Sequence, residues 1–97
     1  MSDQRTPEYD AERGQQAQRL LADPLLVETL DAIETKWTQA FQNSPARDVE
    51  GRELAYRMLQ SARLFRQELE VSMDRGRVAQ KTLAQRAGQT LRRAFGH

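Results

Sequence analysis

The chain has 97 residues, enough for one small domain, and it contains no cysteine, which excludes both a disulfide framework and a thiolate metal site. The one histidine is His97, so zinc ligation and imidazole catalysis have almost nothing to draw on. The longest run of large apolar residues, Leu25–Val27, falls far short of the roughly 18–20 residues a membrane span needs, and the first residues lack the basic-then-apolar order of a signal peptide. The expectation is a soluble, intracellular chain with no membrane partner.

Residues 1–7 are polar and include Pro7, and they read as a disordered leader. From Glu8 to Ala22 the pattern turns helical. Glu8, Asp10 and Glu12 lie in the first turns, where acids complement the helix dipole, and Ala17, Leu20 and Leu21 gather on one side. Gly14 weakens this helix by about 1 kcal/mol relative to alanine. Asp23-Pro24 is a strong boundary, because an aspartate cap followed by proline at the first helical position opens a new helix. Leu26, Leu30, Ile33, Trp37 and Ala40 then recur at spacings of four and three, which predicts an amphipathic helix over 24–42.

Asn43-Ser44-Pro45 closes that helix, and so short a connection predicts that the next helix packs antiparallel to it. The third helix starts anywhere from Pro45 to Val49, with Asp48 as an alternative cap. It carries Ala55, Met58, Ala62, Phe65 and Leu69 at spacings of three and four, with Leu54, Leu59 and Leu64 beside them. It is expected to run to about Asp74, where Arg75-Gly76-Arg77 acts as punctuation, Gly76 being either a C-cap or a weak point in a continuous helix. Residues 75–97 read as a mobile helical tail. The prediction is therefore an all-α fold: an antiparallel hairpin of 24–42 and 45–74, an N-terminal helix packed on it, a helical domain over 8–74 and a basic tail over 75–97.

The net charge of +1 hides an uneven layout. Residues 1–74 hold 14 acids against 9 bases, whereas 75–97 hold no acid and six bases: Arg75, Arg77, Lys81, Arg86, Arg92 and Arg93. This tail is either a solvated helix end or a contact for an acidic protein or for nucleic acid, without sequence specificity. Trp37 lies within an apolar stripe, which marks it as a core or interface anchor before a stacking platform. Self-association is expected through Leu30, Ile33, Trp37, Met58, Phe65 and Leu69, because the two stripes exceed what one hairpin covers. The carboxylates Glu50, Glu53, Glu68 and Glu70 fall on helix faces without converging on a nucleophile or base, so no catalytic, cofactor or metal site is expected.

The run from Arg13 to Pro24, read as R-G-x-x-A-x-x-L-L-x-D-P, resembles short proteins of tailed-phage and prophage genomes. Trp37, the Asp48…Gly51-Arg52-Glu53 stretch and Gly76-Arg77-x-Ala79 extend the resemblance over about 13–79. It implies a small noncatalytic helical protein made during phage particle assembly or DNA packaging; with the self-association expected from the stripes, the expected partners are further copies of the chain, in a homo-oligomer, and a phage or host protein. Its place would be the host bacterial cytoplasm or the virion. Small terminase subunits are one comparison, although no clear N-terminal helix-turn-helix is present; a head or connector component fits equally. The alternative is a phage-encoded inhibitor that binds a host protein through an acidic helical surface.

Overall fold

The computed structural model describes residues 5–96, and within them the chain forms three α-helices and no strand: α1 (Pro7–Leu21), α2 (Pro24–Asn43) and α3 (Val49–Phe95). The fold is all-α. Each helix start has a side-chain cap that satisfies otherwise orphaned backbone N–H groups. The Thr6 hydroxyl accepts from the Tyr9 N–H at 3.1 Å, Asp23 Oδ1 from Leu25 at 2.9 Å, and Asp48 Oδ1 from Gly51 at 3.0 Å. Asp48, not Pro45, therefore fixes the start of α3. At the end of α2 the Ser44 hydroxyl donates to the Ala40 carbonyl at 2.6 Å and the Ser44 N–H to Phe41, which closes the last turn. Residues 1–4 of the predicted leader, and His97, lie outside the described residues; Pro7 is the first residue of α1.

The structure differs from the sequence-based expectation at Asp74. No helix ends there; α3 continues for 47 residues to Phe95, so the segment beyond Arg75 is part of one regular helix. Gly76 is not a C-cap, since no described residue has a positive φ. Its role is contact. A Cβ built on Gly76 would lie 2.7 Å from Gly14 Cα, and one built on Gly14 would lie 2.6 Å from Gly76 Cα. Each glycine thus removes the side chain that would hold the two backbones apart.

The described chain divides into two compact units. In the first, Met1–Arg19 with Glu70–His97, α1 packs on the second half of α3, where Gly14, Ala17, Gly76 and Ala79 are buried. This differs from the expected seat of the N-terminal helix on the 24–42 and 45–74 pair, and the reciprocal glycines are the physical reason. The second unit, Leu20–Leu69, holds α2 against the first half of α3. Its contacts run in antiparallel order: Phe41 meets Tyr56, with ring centroids 6.3 Å apart, while Glu34 and Asp31, further back along α2, meet Arg66, further forward along α3. Leu30, Ala55, Leu59 and Ala62 form the buried contact line.

These roles predict opposite signs for three conservative substitutions. Gly14→Ala and Gly76→Ala should each destabilise by about 1–3 kcal/mol, because backbone clash outweighs the roughly 1 kcal/mol gain in helix propensity. Gly88→Ala, where an added Cβ meets nothing within 4 Å, should stabilise by about 0.5–1 kcal/mol. Thermal unfolding followed by circular dichroism checks both; a rise in Tm for Gly76→Ala would contradict the close-packing role.

Candidate interaction surfaces

Helical geometry turns by about 100° per residue, so the side chains on each helix of the second unit can be sorted around the contact line. On one side Arg66, with its side chain 25% exposed, bridges the helices. Its Nη2 donates to Asp31 Oδ1 at 2.8 Å and its Nε to Glu34 Oε1 at 3.3 Å. Burial alone would lower the Arg66 pKa, but the hydrogen bond to Asp31 and the attraction of both carboxylates outweigh it, so the pKa is raised. This one guanidinium neutralises two of the three acids of α2. Arg66 was not singled out in the sequence, because its spacing from Asp31 and Glu34 depends on a register that only the folded pair defines.

The opposite side of the contact line is apolar. Leu54 is 54% exposed, Phe65 53%, Met58 38% and Ile33 37%. Trp37 and Leu69 are half-buried at its inner edge, whereas Leu30, at 5%, belongs to the contact line itself and is not presented to solvent. The six residues expected to self-associate therefore separate into a buried one, two at the margin, and three that stand on an open face; Leu54 joins that face from the residues beside the stripe. Lys36, Arg57, Glu50 and Glu68 sit three or four residues from its apolar members and are exposed, so both signs of charge rim the same patch.

At the turn end of this unit, Phe41, Ala46, Val49, Arg52 and Tyr56 line part of an open cavity of about 300 Å³, with the Arg52 guanidinium 5.2 Å from the Phe41 centroid. Tyr56 accepts a hydrogen bond from Gln60 Nε2 at 2.8 Å. Its OH is thus satisfied on its own helix.

In the first unit the basic residues Arg75, Arg77, Lys81, Arg86, Arg92 and Arg93 are all exposed. Arg77 pairs with Asp74 at 3.1 Å; none of the other five forms an ion pair with a described carboxylate. Val78, Leu91 and Phe95 stand exposed on the same segment, Phe95 at 81%. Among the described residues no three His, Cys, Asp or Glu side chains come together as a metal site, no buried side-chain polar atom lacks a partner, and no helix is long and apolar enough to cross a membrane.

In comparison with known proteins, no family model matches the chain, and no curated protein and no solved structure matches it either.

Proposed function

We propose that the protein is a noncatalytic assembly module: it self-associates through the apolar face of α2 and α3, and its basic C-terminal segment meets an acidic partner or nucleic acid. The observation that carries this reading is the face itself, where Ile33, Leu54, Met58 and Phe65 lie exposed together beside a buried line of only Leu30, Ala55, Leu59 and Ala62. An apolar patch rimmed by polar groups is a surface that gains free energy on being covered. A second copy is the partner that its rim favours. An isologous interface sets one patch against itself, so charges of both signs on one rim can pair across it; Lys36 with Glu50 and Glu68 supply them, while Arg57 reaches Glu53 of its own helix at 3.5 Å.

The noncatalytic reading rests on the sequence, which has no cysteine and a single histidine and spreads Glu50, Glu53, Glu68 and Glu70 along helix faces. The likeness of the Arg13–Pro24 run to short tailed-phage proteins supplies a setting, particle assembly or DNA packaging in the host bacterial cytoplasm or the virion. An inhibitor acting through an acidic helical surface is less well supported, because Asp31 and Glu34 are already engaged by Arg66.

Two measurements follow. Met58→Glu with Phe65→Glu should return the protein to an 11 kDa species in light scattering, with helicity retained, because both residues are exposed and neither fills the contact line; an unchanged oligomer would remove this face from the interface. For the tail, Arg86→Gln, Arg92→Gln and Arg93→Gln together should weaken nucleic-acid binding and lower the dependence of log K on log salt by about 2–3 units. Charge substitution is the appropriate test, since truncation after Asp74 would also remove Gly76 and Ala79, on which α1 packs. DNA affinity in fluorescence anisotropy that does not respond to salt would contradict the tail reading.

A further inference from the structure

The glycine crossing brings two helices close enough to share a recess. A Cβ at Gly14 would lie 3.1 Å from the Ser72 carbonyl oxygen and one at Gly76 3.0 Å from that of Asp10, so the turns that carry Asp10 and Arg13 on α1 sit level with those that carry Ser72 and Arg75 on α3. Between them is a concavity of about 60 Å³ lined by Arg5, Tyr9, Asp10, Arg13, Ser72 and Arg75. Three arginines and one carboxylate residue, Asp10, are in that lining. The Arg13 guanidinium lies 5.7 Å from the Tyr9 centroid, and neither Arg13 nor Arg75 is paired with a described carboxylate. The nearby Asp74 is taken by Arg77.

We propose that this recess binds a phosphoryl group, with Arg13 and Arg75 as its principal ligands and the Tyr9 and Ser72 hydroxyls as further donors. Arginine suits the task because its planar guanidinium offers paired N–H groups that match two oxygens of one phosphate. The small volume selects the phosphoryl group alone, leaving whatever carries it outside. That carrier is either the backbone of a nucleic acid, in which case the recess extends the basic tail surface onto α1, or a free phosphate. Only the first case rests on the tail's affinity for nucleic acid. Asp10 is the one carboxylate in the lining and opposes binding, so its removal is a test with the opposite sign.

The full-length ¹⁵N-labelled protein is titrated by NMR with inorganic phosphate, and its affinity for a mixed-sequence DNA duplex is measured at two salt concentrations. Arg13→Gln/Arg75→Gln is compared with Arg47→Gln/Arg63→Gln, which removes two exposed arginines elsewhere, and with Asp10→Asn. Inorganic phosphate should shift the amides of Tyr9, Arg13, Ser72 and Arg75, and the first variant should abolish those shifts while circular dichroism stays unchanged. If DNA is the carrier, the same variant should lose about tenfold in affinity and one to two units of salt slope. The control should lose less than threefold and Asp10→Asn should bind more tightly. Phosphate shifts without a DNA effect identify a free phosphate as ligand, and they stand even if the tail binds no DNA. A DNA effect without phosphate shifts identifies the backbone. If inorganic phosphate moves none of these amides and Arg13→Gln/Arg75→Gln binds DNA no more weakly than the control, the recess is not a phosphate site, whatever the tail does.

Discussion

The structure depends on small residues at the lines where helices meet. Gly14 and Gly76 let α1 and α3 approach backbone to backbone, with Ala17 and Ala79 buried beside them; Ala55 and Ala62 play a similar part where α2 meets α3. Close approach gathers many weak dispersion contacts but removes little apolar area from water for each residue buried. Among the described residues, no large side chain is fully buried. Apart from Leu30 and Leu59, larger apolar groups of the α2–α3 pair lie on the flanks of the line, and Leu54, Met58 and Phe65 are exposed there. The features that make the helix contacts tight are thus the ones that leave apolar surface for another molecule.

Charge follows the same division. Arg66 gathers Asp31 and Glu34 on one side of the α2–α3 contact line, while Ile33, Leu54, Met58 and Phe65 stand exposed on the other. In the other unit the acids fall away after Asp74. Of the bases beyond it only Arg77 pairs with a described carboxylate, that of Asp74, and Arg75 lines the same recess as Arg13 of α1. Exposed arginines of this kind contribute little to stability, and under the proposed function they attract an acidic partner.

The helical class and the boundary at Asp23-Pro24 were legible in the sequence because they rest on local physics: a cap, a proline and a period of three and four. The course of α3 was not. Gly76 looks the same whether it ends a helix or admits a neighbour, and the residue that decides the matter, Gly14, is remote in sequence. The stripe on α3 was visible, but periodicity gives an arc without its centre; the partner helix chose Ala55, Leu59 and Ala62 as the contact line and left Met58 and Phe65 outside it. Arg66 and the Arg13–Arg75 recess were hidden for a related reason, since each joins two helices whose register the sequence alone does not set.

The central claim is that the monomer's apolar face is covered by a second copy, and it makes folding and association one equilibrium. Linkage then requires that stability rise with protein concentration, because mass action favours the state in which the face is buried. Calorimetric unfolding of the unmodified protein over a hundredfold range of concentration tests this directly. The account predicts a Tm that climbs by several degrees across the range. A Tm independent of concentration, with the mass of a single chain at the upper end, would contradict it.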